Sequence, residues 1–292
     1  MSEIQYYEFL AAERPLSRAQ QAEIREFAKG AQITATEFSV EYDDRELQVD
    51  PAYLMQHYYD AHLYTANFGS RRIMLKLPQA ALPPDAAEQY RVRDRVIIAT
   101  AGEHVILDVI SEDLEEDWDA SPALEEIARV RDEIAAGDLR PLYLAWLAAY
   151  GEWERDESVF EDEDEDVVEP PVPAGLETVT APQRALASFL RLDEDLLAVA
   201  SQAAPGDPAA LEASIKGLPD AEKDRLLLAI ASGQASQART ELLRRTDPPR
   251  RTVGELLDAA ATLRPLSTAS TARVAPACMA AGQPRRARGA ER

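Results

Sequence analysis

A run of six adjacent acids, Glu161-Asp162-Glu163-Asp164-Glu165-Asp166, followed closely by Pro170-Pro171-Val172-Pro173, constrains this chain more than any other feature. Six neighbouring carboxylates repel one another in a compact arrangement, and the prolines withhold backbone donors and stiffen the chain around them. The expectation is an acidic, proline-rich linker over 152–175 dividing a chain of 292 residues, a length suited to one large domain or two modest ones. Charge changes at the same place. Residues 1–151 hold 28 acids against 14 bases, residues 152–169 hold 11 against 1, and residues 170–292 hold 14 against 16, for a net charge of −22.

Ahead of the linker, helix and strand signals alternate. Strands are expected over 4–11, 33–42, 61–68 and 72–77, the last two joined by a turn at Phe68-Gly69-Ser70. A hairpin is expected from Val96–Thr100 to Val105–Ile110 across Ala101-Gly102-Glu103. Ser17 with Gln20 forms a capping box, Asp50-Pro51 is an N-cap with proline at the first helical position, and Ser121-Pro122 and Asp138 open two further helices. With a short helix near 79–89, this makes 1–151 an α+β domain with a mainly antiparallel sheet.

Beyond the linker only helices are expected, near 181–191, 194–203, 208–216, 219–232, 235–245 and 252–263. Capping boxes at Thr180/Gln183 and Thr252/Glu255 punctuate them. Each carries only a few large apolar residues, so over 176–264 they must pack together as a small bundle. Residues 265–292 show no periodicity and are expected to be disordered.

Several stretches resemble a bacterial protein family with no established biochemical function. They are Tyr6-Tyr7-Glu8-Phe9-Leu10-Ala11 with Arg14-Pro15-Leu16, Tyr59-Asp60-Ala61-His62-Leu63-Tyr64 with Ala66-Asn67, and Gly137-Asp138-Leu139-Arg140. Leu218-Pro219-Asp220-Ala221-Glu222-Lys223-Asp224, Glu241-Leu242-Leu243-Arg244-Arg245 and Arg251-Thr252-Val253-Gly254-Glu255 complete the series. Members of that family continue into a long charged helix. Here the sequence breaks at Pro265, as a reading-frame change in a GC-rich gene would produce. The resemblance implies no catalytic residue, because none is known for the family.

No phosphate-binding loop, Gly-x-Ser-x-Gly elbow or dinucleotide glycine motif occurs. The one cysteine, Cys278, excludes an internal disulfide, and no stretch approaches the ~18 apolar residues of a membrane span. The N-terminus lacks the order of a secretory signal, so a cytoplasmic location is expected.

Two clusters carry candidate chemistry. His57, Asp60 and His62 supply two imidazoles and a carboxylate, but they cross from a helix end into a strand, so their side chains should diverge and no metal is expected. Arg71, Arg72, Arg91, Arg93 and Arg95, with Lys76, make residues 71–95 a basic window in an acidic domain. One reading is an anion-binding patch with Tyr90 stacking nearby. The other is a solvated strand face neutralised by Glu112, Asp113, Glu115 and Glu116, as isolated charge runs commonly are. The leading functional expectation is a non-enzymatic interaction protein with a protein partner, no cofactor and no membrane association. The competing one is an anion-, nucleotide- or nucleic-acid-binding module, or an enzyme, using the arginines. A net charge of −22 disfavours nucleic acid.

Overall fold

The computed structural model describes residues 2–112, 123–151, 164–202, 208–232, 238, 241–242 and 250–271. Seven strands, β1 (Ile4–Leu10), β2 (Gln32–Ile33), β3 (Glu37–Asp43), β4 (Ala61–Ala66), β5 (Arg71–Pro78), β6 (Val96–Ala101) and β7 (His104–Ser111), form one sheet in the order β2-β3-β1-β4-β5-β7-β6. Every pairing is antiparallel, so the α+β class read from the sequence is the one the chain adopts.

Alternation along the strands sorts side chains onto two buried faces. Tyr7, Phe9, Phe38, Val40, Met74 and Ile106 lie under α1 (Arg18–Phe27) and α2 (Pro51–His57), which contribute Ile24, Leu54 and Met55. Leu63, Ile73, Leu75, Val96, Leu107 and Val109 face the opposite way, against α4 (Leu124–Ala128), α5 (Val130–Ala135) and α6 (Arg140–Gly151). Every residue of α6 from Pro141 to Gly151 is buried, as befits a helix apolar all round. A short α3 (Pro84–Glu88) precedes β6. The Ser17/Gln20 capping box, the Asp50 cap and positive-φ Gly69 and Gly102 in the two turns all form as the sequence indicates.

The expected strand over 33–42 is broken. The Thr34 hydroxyl accepts the amides of Thr36 and Glu37 at 3.2 and 2.9 Å, a local turn that separates β2 from β3. The helix expected from Ser121 to Gly137 is two short pieces, α4 and α5, parted at Arg129. Ser121 and Pro122 lie outside the described residues.

The larger departure concerns the linker and the bundle. Residues 152–163 lie outside the described residues, but 164–175 are docked. The Val253 and Gly254 amides donate to the carbonyls of Val167 and Glu165, and the Glu169 amide donates to that of Arg251, so 164–169 runs antiparallel to 250–254. Asp164 pairs with Arg93 at 3.0 Å. Glu169, 1% exposed, accepts both Nε (3.0 Å) and Nη2 (2.9 Å) of Arg251 and the Tyr143 hydroxyl. The repulsion that predicted a free tether is thus answered locally by arginines, while Val167 and Val172 pack on the core.

The C-terminal helices α7 (Ala181–Phe189), α8 (Glu194–Ser201) and α11 (Val253–Thr271) do not form a bundle of their own. Leu186, Phe189, Leu196, Val199, Val253, Leu256 and Leu257 share one continuous core with the sheet and α6. Arg71 Nη1 donates to the Phe189 carbonyl at 3.1 Å and Arg191 Nη1 to that of Gly69 at 2.9 Å. Each of these helices exposes too little apolar surface to stand alone, and the sheet offers the larger face. Beyond α9 (Pro208–Gly217), helix α10 (Asp220–Ala231) belongs instead to a separate small cluster of Leu218, Leu226 and Ala238. The helix expected over 235–245 falls largely outside the described residues. Helix α11 runs on through Pro265 to Thr271. Proline removes one donor and crowds the carbonyl four residues back, but residues beyond it remain free to take helical torsions. The rest of the expected tail, 272–292 with Cys278, lies outside the described residues. Among the described residues no helix is long and apolar enough to cross a membrane.

Candidate functional site

The antiparallel order brings the end of β1, the start of β4, the end of β5 and the start of β7 to one edge of the sheet, with Leu10 opposite Ala61 and Pro78 opposite His104. A cleft of about 430 Å³ opens there. The loop after β1 supplies Glu13 and Arg14, the last turn of α2 and its exit supply Gln56, His57 and Tyr58, and the strand ends supply Asp60, Lys76 and His104.

Its floor is a nearly buried ion pair. Lys76 Nζ lies 3.0 Å from Asp60 Oδ1 and also donates to the Met55 carbonyl at 3.0 Å. Asp60 Oδ2 accepts the Glu13 amide at 2.9 Å, so both carboxylate oxygens are used. An ammonium has three donors, and two of those on Lys76 are committed. The wall carries His57, whose Nδ1 donates to the Tyr53 carbonyl at 2.9 Å. A carbonyl can only accept, so the other ring nitrogen, Nε2, carries the lone pair in the neutral ring and becomes a second donor on protonation. Burial, with hydrogen bonds to Glu23 and Tyr53, holds the Tyr58 phenol above its ordinary value and therefore neutral. Arg14 is exposed and has no ion-pair partner among the described residues.

The expected clusters are distributed differently. His57 and Asp60 both line the cleft, but His62 points into the core beneath α2. It stacks on Phe9 at 4.0 Å, and its Nδ1 donates to the Glu8 carbonyl at 2.8 Å. Desolvation drives the His62 pKa down to about 3, so the ring is neutral and its unpartnered Nε2 is an acceptor rather than a stranded charge. Among the described residues no group of three His, Cys, Asp or Glu side chains can hold a metal.

The five arginines do not make a patch. Arg71 and Arg72 sit on opposite faces of β5. Arg71 is buried against Phe189, while Arg72 grips Asp108 through Nε and Nη2 at 2.8 and 2.6 Å. Arg91, Arg93 and Arg95 do not alternate along a strand. The Val92 and Val96 backbones bond to each other across a tight turn, with Arg93 at φ 33°. Arg91 pairs with Glu88, Arg93 with Asp164 and Arg95 with Glu112. Tyr90 is buried rather than available for stacking. Four of the arginines are thus held in ion pairs and Arg71 by the Phe189 carbonyl and ring. Of the acids named for the solvated-face reading Glu112 is a partner, while Asp113, Glu115 and Glu116 lie outside the described residues.

Comparison with protein-family models, curated proteins and solved structures gives no match. The site must be read from its own chemistry.

Sequence reasoning did not single out Glu13, Arg14 or His104, and it counted Lys76 only as part of the basic window. One signal was present. Lys76 is one of only four lysines and stands in the strand Arg71-Arg72-Ile73-Met74-Leu75-Lys76-Leu77-Pro78, directly between apolar residues. A cation there needs a buried partner, and Asp60 is it.

Proposed function

We propose that this protein is a binding module for a small anionic ligand, taken up in the cleft at the end of the central strands. One observation carries the reading: Lys76, 9% exposed, is an ammonium with an uncommitted third donor lining an open polar cleft. Arg14 adds a cation at the rim that has no ion-pair partner among the described residues. His57 and His104 add imidazoles, and Gln56 adds an amide. A carboxylate or phosphate oxygen answers those donors better than water does, since charge-assisted hydrogen bonds are the stronger kind. Titration calorimetry with acetate and with inorganic phosphate tests it. Saturable binding of one anion per chain is expected, weakened at least tenfold in Arg14→Ala and in a folded Lys76→Met variant. Absence of binding for both anions sinks the reading.

A second reading, the interaction protein expected from the sequence, draws on a different observation. Helix α10 leaves Leu227 and Leu228 62% and 69% exposed, with Ile230 beside them. Exposed aliphatics clustered on one helix are a common mark of a partner-binding surface. On this reading a Leu227→Asp/Leu228→Asp variant of the tagged protein loses a defined partner that wild type retains on purification from its host. Retention of that partner by the variant would count against it.

A further inference from the structure

We infer that the ligand of the polar cleft is an amphiphile, with one anionic head and an apolar chain that lies in a second hollow beside it. The inference rests on the anion-binding reading above and adds the class of molecule.

A hollow of about 330 Å³ lies at the same end of the sheet, on its α4/α5 face where the cleft is on the α1/α2 face, and Glu13 lines both. Its walls are more apolar than those of the cleft, although Glu125, Arg129, Arg131 and Asp132 also line it. Leu10, Leu77, Pro78, Ala81, Ala128 and Ala135 contribute the apolar surface, drawn from β1, β5 and the loop after it, and the helices α4 and α5. The space exists because three of these six residues are alanines. A leucine at any of them would occupy it.

A ridge divides the two spaces, and it is held from both sides. Arg131 Nη2 lies 2.5 Å from Glu13 Oε1, and Arg131 Nε donates to the Lys76 carbonyl at 2.7 Å. Lys76 therefore faces the cleft with its ammonium and anchors the ridge with its backbone. Arg131 is nearly buried, whereas the Glu13 side chain is 46% exposed, so Glu13 is the member free to swing aside as a chain crosses. A compact anion would fill the polar cleft and leave the hollow wet. A molecule with its head on Lys76 and Arg14 and an apolar chain across Glu13 fills both, and it removes the half-buried Leu10 and Pro78 and the exposed Ala135 from water.

The test is calorimetric titration of the full chain with acetate, hexanoate and decanoate below their micelle concentrations, with decyl phosphate as a second head. Affinity is expected to rise about threefold to fourfold per methylene until the hollow is full. Decanoate should bind at least tenfold more tightly than acetate. Ala135→Leu, at an exposed position, and Ala81→Leu should each flatten that rise. Decyl phosphate binding more tightly than decanoate would make the natural head a phosphate, and the reverse a carboxylate. Equal affinity for all chain lengths, or a rise untouched by both alanine variants, overturns this inference while leaving the anion reading in place. Binding of decanoate that ignores Arg14→Ala overturns both, because the chain is then adsorbing elsewhere, such as on the exposed leucines of α10.

Discussion

Replacing Glu169 by alanine removes the one carboxylate that, among the described residues, ties the acidic segment to the helical layer. Two partners are stranded. The Tyr143 hydroxyl is wholly buried and loses its acceptor, a loss of about 1–3 kcal/mol. Arg251 loses both charge-assisted bonds, but its side chain is 26% exposed and keeps the Val199 carbonyl at 3.0 Å, so it rehydrates in part and adds about 1–2 kcal/mol. The expected total is about 2–5 kcal/mol, which brackets what breaking a buried pair costs. Arg251→Met should cost as much or more, since it leaves a carboxylate at 1% exposure facing only a phenol. Combining Glu169→Gln with Arg251→Met should cost clearly less than the two single changes added, because no uncompensated charge remains. Urea unfolding followed by tryptophan fluorescence measures all three. A Glu169→Ala protein within about 0.5 kcal/mol of wild type would refute the argument, as surface substitutions commonly fall in that range.

Three further outcomes are expected. His62 binds its proton far more weakly folded, at about 3, than unfolded, near 6.5. The unfolded state therefore takes up protons first as pH falls, and stability is full above about 6.5 and declines down to about 3. Roughly 2–3 kcal/mol should be gone by pH 4.5, and His62→Phe should remove that component of the urea-midpoint profile; an unchanged profile would contradict the assignment. Hydrogen exchange should find the amides of Glu169, Val253 and Gly254 protected, because each donates to a carbonyl across the docked segment; exchange at the free-chain rate would restore a loose tether. Leu257→Ala should destabilise the whole cooperative unit by about 2–5 kcal/mol, and a transition lost only from the C-terminal helices would disprove the shared core.

Local chemistry was legible in the sequence where it acts locally. The Ser17/Gln20 and Thr180/Gln183 boxes, the Asp50-Pro51 start and the Gly69 and Gly102 turns all involve residues within a few positions of each other. Long-range answers to local strain were not. The acidic segment reads as a free tether until Arg93 is brought to Asp164 in the acid run and Arg251 to Glu169 just beyond it, 71 and 82 positions away along the chain. Arg91, Arg93 and Arg95 read as a strand row until the Val92–Val96 turn curls them apart. The candidate site was half legible. His57 and Asp60 were singled out for proximity in sequence, and both do line the cleft, but for a metal that the geometry gives no ligand set. The residue that defines the cleft, Lys76, meets Asp60 only because β4 and β5 pair.

The shared core also sets an order of events during synthesis. Strands β1 to β7 and helix α6 are complete by Gly151, yet their helical face still lacks Val253, Leu256, Leu257 and Ala260. The hundred or so residues between Gly151 and Val253 take a ribosome about 5–20 s to add. For that interval the nascent chain holds a finished sheet with part of its apolar face uncovered. Strand pairing is faster than that wait, so the half-covered sheet is the state a holding chaperone would meet. Docking of α11, rather than closure of the sheet, is then the step that makes the molecule safe from its neighbours.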